Sequence, residues 1–253
     1  MDIACIDMEG VLIPELWPHI AEATGIGELA VTTREEPDYA RLVAFRIRTL
    51  RKNGLRLSDV QALVSTIAPL PGATAFLAAL RPRMRVVLVS DAFQEMVLPL
   101  WRAFGEPELR CHRFVCDDDG FVSAAQYVRA HGKHEVIDEF AARGCRTLAV
   151  GDAFNDLSML RRASMGFLFR PSPQTLLAAQ DLKVALSYAD ILDHIDHIDH
   201  IERADGRMSR HAIPRAAAQG PAMHLAGLDQ HAAAIFEPEI PAAMAPTSSA
   251  LLG

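Results

Sequence analysis

At 253 residues, half of them hydrophobic, the chain can bury one α/β core with an insert, or two modest domains, and no more. Its net charge of −7 offers no basic stripe to neutralise a phosphate backbone, which argues against nucleic acid and for small-molecule partners. No run approaches about eighteen uninterrupted apolar residues and no basic region precedes the first apolar run, so neither a membrane span nor an export signal is expected. Cys5, Cys111, Cys116 and Cys145 form no CxxC pair and lie far apart or in apolar runs, as reduced thiols of a cytoplasmic protein do.

In chain order, IACI ahead of Asp7 is the first of several apolar runs too short for a stable helix and followed by a polar turn. Such runs read as parallel strands buried on both faces. Residues 14–68 are rich in helix formers and hold no convincing strand, so they read as a helical cap inserted after the first strand. Ala73 to Leu80 follows with crossover-helix spacing, then VVLV ahead of Ser90 as a second buried strand. DDDG at Asp117–Gly120, flanked by RFV and FVS, suits a hairpin. Glu135 to Ala142 is again helical in spacing, and TLAV ahead of Gly151 is a third buried strand. The fold class is therefore α/β, a doubly wound parallel sheet with a small helical cap.

The core is assigned to residues 1–13 and 69–200. Near its end, DHIDHIDHIE at Asp193–Glu202 repeats every three residues. His194, His197 and His200 could share a helix face and bind a metal, or simply mark an exposed helix end. Residues 201–253 contain fourteen alanines and five prolines without a sustained period, a composition expected of a disordered or loosely packed appendage.

The chemistry concentrates at the strand ends, where ligands bind in open α/β sheets. In IACIDMEGVL the strand delivers Asp7, a carboxylate able to attack a phosphoryl group and form an aspartyl-phosphate. Glu9 stands two residues on, placed to protonate a leaving alkoxide and later to deprotonate an incoming hydroxyl. GDAFND at Gly151–Asp156 sets two acids four apart on a turn: Asp152 would ligate magnesium, and Asp156 would touch the ion or orient its waters. The Ser90 hydroxyl and the Asp91 backbone amide could bind phosphoryl oxygens, and Lys133, in AHGKHE, could offset the negative charge gathered there. Taken singly, each has a plainer reading, as a helix cap or a solvated charge. Specificity comes from finding nucleophile, acid/base, hydroxyl, cation and metal ligands at successive strand ends of one sheet.

In order and spacing these residues resemble the haloacid dehalogenase superfamily over about Met1 to Asp196. Within it the chain is most similar to the phosphoserine phosphatase group, and to its bacterial branch described as phosphoserine phosphatase/homoserine phosphotransferase. Glu9 in place of a second aspartate, SDAF in place of SGGF and GDAFND in place of GDGxND support that branch. The resemblance implies that Asp7 is the nucleophile, Glu9 the acid/base with its main-chain carbonyl on the metal, and Asp152 a magnesium ligand. It implies phosphate binding by Ser90 and Lys133, and contact of Asn155 with substrate or intermediate. It aligns Glu15 with the acid that meets a substrate ammonium and Arg46 with the arginine that grips its carboxylate, with Arg48 a close competitor for that role.

The resulting expectation is a magnesium-dependent enzyme that transfers the phosphoryl group of phosphoserine to water, to homoserine, or to both. A phosphatase of another small phosphomonoester and an inactive phosphatase-fold binding protein are the alternatives. A homodimer is left open.

Overall fold

The computed structural model describes residues 1–33 and 35–204. A seven-stranded sheet organises them, in the order β4-β3-β2-β1-β5-β6-β7. Its strands are β1 (Ile3–Ile6), β2 (Arg85–Phe93), β3 (Glu108–Cys116), β4 (Val122–Gln126), β5 (Thr147–Gly151), β6 (Met165–Phe169) and β7 (Lys183–Ala185). Every pairing is parallel except that of β3 with β4.

Strand periodicity divides the central strands between two cores. Ala4, Ile6, Leu88, Leu148 and Val150 point into one, while Ile3, Cys5, Val87, Val89 and Ala149 point into the other. A strand that must satisfy two apolar layers has no polar face, which is why IACI, VVLV and TLAV read as unbroken apolar runs. The crossover helices cover these layers: α4 (Ala73–Leu80) and α5 (Gln94–Ala103) lie with the first core, α6 (His134–Ala142) and α7 (Leu157–Arg162) with the second, and the short α8 (Pro173–Ala178) follows β6.

Between β1 and α4 lie α1 (Leu16–Thr24), a 3-10 turn (Gly27–Ala30), α2 (Tyr39–Lys52) and α3 (Leu57–Val64). Asp38 caps α2 by accepting from Arg41 N at 3.0 Å, and Arg51 and Lys52 complement the dipole in its last turn. Leu16, Ile20, Val43 and Val60 from this segment join the same buried cluster as Phe76, Leu88 and Phe93, so helices and sheet share one core.

The DDDG sequence forms the turn between β3 and β4. Asp117 Oδ1 accepts from Asp119 N at 3.1 Å and Phe121 N at 2.9 Å, the local side-chain bonding that suits aspartate to turns. Strand β2 departs from the sequence reading. It continues past VVLV to Phe93 and loses register with β3 between Val89 and Phe93, so Ser90 and Asp91 sit in an irregular strand, not at the cap of a helix. The DHI repeat falls within α9 (Tyr188–Ala204). There His194 packs against the Phe167 ring and Lys183, and among the described residues no group of metal-ligating side chains includes a histidine. The reading of an alanine/proline-rich tail lies outside the described residues beyond position 204.

Tyr188 fastens α9 to the core. Its ring stacks on Phe76 and Phe169, both at 4.8 Å between centroids, and its buried hydroxyl donates to the Val11 carbonyl at 2.6 Å. Tyr188→Phe should cost about 1–3 kcal/mol, since it strands a buried acceptor. Tyr188→Ala should cost about 3–5 kcal/mol through cavity formation. Urea unfolding curves of the variants check both values: a neutral Tyr188→Phe would contradict the contribution of the hydroxyl, and equal losses would contradict that of the stacked ring.

Candidate active site

β1 ends by delivering Asp7 to the carboxyl edge of the sheet, where Asp7 N donates to the Val150 carbonyl of β5 at 2.9 Å. The carboxylate is fixed on one side only. Oδ1 accepts from Met8 N and from the Lys133 ammonium, each at 2.7 Å, while Oδ2 has no hydrogen-bond partner among the described residues. Lys133 stands immediately before α6, is 1% exposed, and also reaches Asp156 Oδ1 at 2.7 Å.

The turn after β5 carries Asp152 and, through a short 3-10 helix, Asp156. Asp156 Oδ2 accepts from Asp152 N and Ala153 N, both at 3.1 Å, so this fully buried carboxylate folds the turn that presents Asp152. Gly10 makes the approach possible, because a Cβ there would lie 2.2 Å from Asp152 Oδ2 and its φ of +73° is left-handed. Gly151 has the same role beneath Asp156, whose Cβ would be 2.4 Å from a side chain at that position.

Asp7, Asp152 and Asp156 each place a carboxylate oxygen within 4.8 Å of the other two. With both Asp156 oxygens engaged, Asp7 and Asp152 keep free faces, a donor set that fits a hard divalent cation with few protein ligands. Burial and the neighbouring Asp156 raise the Asp7 carboxyl well above the usual range, against the pull of Lys133. Burial, Asp156 and Glu15 push Asp152 up to about 7. Crowded acids of this kind are relieved by a bound cation.

Glu9 is half-buried, and its Oε1 accepts from Leu16 N at 2.9 Å, the first residue of α1. Burial and Glu15 raise its carboxyl to about 7, so it can exchange a proton near neutral pH. Glu15 is exposed and makes no ion pair among the described residues. Arg46 is buried, its guanidinium 4.5 Å over the Trp17 ring, with a terminal nitrogen donating to the Val31 carbonyl at 2.8 Å and Nε lacking a partner. Arg48 is exposed, so of the two arginines only Arg46 faces inward.

On the β2 side, buried Ser90 accepts from Ala92 N at 3.0 Å through its hydroxyl. The Asp91 carboxylate accepts from Asn155 Nδ2 and from an Arg129 terminal nitrogen, each at 2.9 Å. Burial alone would raise its pKa, but Lys133, the Asn155 amide and Arg129 hold it at about 2. The Tyr39 hydroxyl, at the start of α2, donates to the Asp91 carbonyl. His112 packs alongside as a neutral ring: its Nδ1 accepts from Val128 N at 3.2 Å, and burial and Arg129 push its pKa down to about 4.

A family model for haloacid dehalogenase-like hydrolases matches residues 1–164. The chain belongs to that family. Among its relatives, a phosphoserine phosphatase of Pseudomonas syringae pv. tomato is 44% identical over 169 residues, which cover 67% of this chain and 71% of that protein. Phosphoserine phosphatase ThrH of Pseudomonas aeruginosa is 40% identical over 191 residues, 76% of this chain and 93% of that protein. A solved phosphoserine phosphatase carrying an analogue of its phospho-aspartyl intermediate superposes with a TM-score of 0.64 at 20% identity, covering 76% of this chain and 98% of that one. At that identity the superposition speaks to the fold of this hydrolase alone.

Three groups of the site were not among the sequence candidates: Tyr39, His112 and Arg129. Tyr39 had a signal, since it lies seven residues before Arg46 and therefore shares its helix face. Arg129 had none, because its partners are backbone and side-chain groups nineteen to thirty-nine residues away.

Gly10→Ala should push Asp152 aside while leaving the sheet intact. The variant is expected to keep its far-ultraviolet circular dichroism and to lose most of the thermal stabilisation that a divalent cation gives the parent. An undiminished cation response would contradict the close packing of Gly10 on Asp152.

Proposed function

We propose that this hydrolase is a magnesium-dependent phosphoserine phosphatase that also transfers the phosphoryl group to homoserine, with phospho-Asp7 as the intermediate. The observation that carries the reading is the half-tethered Asp7 carboxylate, held at Oδ1 by Lys133 and free at Oδ2, beside Asp152 at the sheet's carboxyl edge. The names of the two Pseudomonas relatives support the substrate.

In this reading Asp7 Oδ2 attacks phosphorus, the bond from phosphorus to the serine oxygen breaks, and Glu9 gives that oxygen its proton. Glu9, now a carboxylate, then takes a proton from water or from the homoserine hydroxyl as that oxygen attacks the phosphoryl group and releases Asp7. Asp7, Asp152 and the main-chain carbonyl of Glu9 would hold magnesium, which when bound supplies positive charge against the phosphoryl oxygens. Ser90, the Asp91 amide and Lys133 receive the phosphoryl oxygens, with Asn155 against the bound group.

Residues 14–68 serve as the cap over this cleft. From it, exposed Glu15 meets the substrate ammonium and the buried Arg46 fork meets its carboxylate. The unpartnered Nε of Arg46 supports that role, because a buried guanidinium nitrogen calls for an acceptor. No helix among the described residues is long and apolar enough to cross a membrane, and all four cysteines are free, which supports a cytoplasmic place.

Mass spectrometry of phosphoserine incubated with enzyme and magnesium, with and without homoserine, tests the reaction: serine should appear in both, and phosphohomoserine only with the acceptor. Asp7→Asn should lower turnover by at least about a thousandfold. Activity surviving that change would refute the covalent route. Glu9→Asp breaks the bond to Leu16 N and withdraws the acid by one methylene, so turnover should fall and the ratio of transfer to hydrolysis should change. The same ratio at measurable activity would remove Glu9 from control of the acceptor.

A further inference from the structure

The irregular stretch of β2 raises a question of charge and of hydrogen bonding together. Between Val89 and Phe93 the ladder to β3 is broken, so carbonyls that would face strand donors need others. Arg129, 8% exposed, fills the gap. One terminal nitrogen donates to the Ser90 carbonyl at 2.6 Å and to Asp91 Oδ1 at 2.9 Å, and the other donates to the Arg110 carbonyl of β3 at 2.9 Å. The guanidinium thus replaces missing strand donors on both sides of the break. It also sets an ion pair beside the irregular stretch of β2 that holds Ser90 and Asp91.

A carboxylate beside a phosphoryl site opposes binding unless its charge is cancelled. The cations near Asp91 are not equally able to do so. Lys133 also attracts Asp91 from a distance, but it is in contact with two other carboxylates, Asp7 and Asp156. His112 approaches Asp91 Oδ1 at 3.8 Å, but its Nδ1 is an acceptor and its ring is neutral. Among the described residues, Asp91 is the only carboxylate that Arg129 touches. Lys133 is thus paired with Asp7 and Asp156, and Arg129 with Asp91.

We infer that Arg129 is a positioning residue of the phosphoryl pocket, which cancels the charge of Asp91 and holds the Ser90–Asp91 stretch open to phosphoryl oxygens. The inference rests on the phosphoryl-transfer reading above. Arg129 has no contact with the reacting atoms in that reading; it acts through Asp91 and Ser90.

The test is calorimetric titration with inorganic phosphate in the presence of magnesium, a readout that needs no turnover and no knowledge of the acceptor. Arg129→Met should weaken phosphate binding about ten- to a hundredfold, the scale of one uncancelled charge a few ångströms away. KM for the phosphomonoester should rise accordingly. Adding Asp91→Asn to Arg129→Met should restore most of the affinity. Folded Arg129→Met with parental affinity would overturn the inference, and so would a double variant that recovers nothing, since a purely structural role would not respond to removal of the Asp91 charge. Asp91→Asn alone keeps the question answerable if Arg129→Met does not fold. With Arg129 left uncompensated, phosphate should bind several-fold tighter, and weaker binding would overturn the proposal. A parent protein that bound no phosphate at all would overturn the functional reading, and this inference with it.

Discussion

The Lys133 ammonium, lodged between Asp7 and Asp156 and shut off from solvent, is the contact on which the site is arranged. Burial alone would strip its charge, but Asp156, Asp7 and Asp91 more than reverse that and hold its pKa well above the ordinary lysine value. A lysine so placed is tolerated only because both near partners are acids. It ties together the end of β1, the turn after β5 and the loop before α6, three segments distant in the chain. It also breaks the symmetry of Asp7: one carboxylate oxygen is occupied, the other is left available to react.

A second set of contacts runs from the helical segment to the sheet. Leu16 N on Glu9 and the Tyr39 hydroxyl on the Asp91 carbonyl fix that segment to the ends of β1 and β2. Farther out, Leu57 N donates to the Gly120 carbonyl at 3.0 Å and Arg51 pairs with Asp117, so the hairpin between β3 and β4 is a third support. Arg51 and Arg56 lie 5.2 and 5.3 Å from the Phe121 ring centroid, which adds cation–π attraction to that docking. The residues proposed to recognise substrate, Glu15 and Arg46, therefore belong to a body held at several points by the elements that carry the chemistry.

Much of this was legible because the information is local. A strand buried on both faces is an uninterrupted apolar run, and the acid that ends it is the residue delivered to the site; Asp7 and Asp152 could be found in this way. The Asp117–Gly120 turn was likewise written in its own four residues. The extension of β2 was not, since Ser90 and Asp91 have little strand preference, and what keeps them extended is Arg129 and the Tyr39 hydroxyl, both from elsewhere in the chain. Choosing between Arg46 and Arg48 required the helix face: Tyr39, Leu42, Val43, Arg46 and Leu50 form the inward stripe of α2, and Arg48 falls outside it.

The proposed choice between water and an alcohol acceptor comes down to position more than to affinity. Serine and homoserine share the ammonium and carboxylate that Glu15 and Arg46 are proposed to hold, and they differ by one methylene, which a pocket discriminates by only about 1–3 kcal/mol. A hydroxyl held in line with phospho-Asp7, however, gains an effective concentration that can reach on the order of 10⁵ M or more, enough to compete with liquid water. That advantage exists only where the base meets the bound hydroxyl at the right place. Glu9 is suited to the task because its carboxylate is oriented by Leu16 N, the first amide of the helix that follows Glu15. Acceptor recognition and proton transfer are then referred to one helix end, so a single movement of α1 would align both or disturb both.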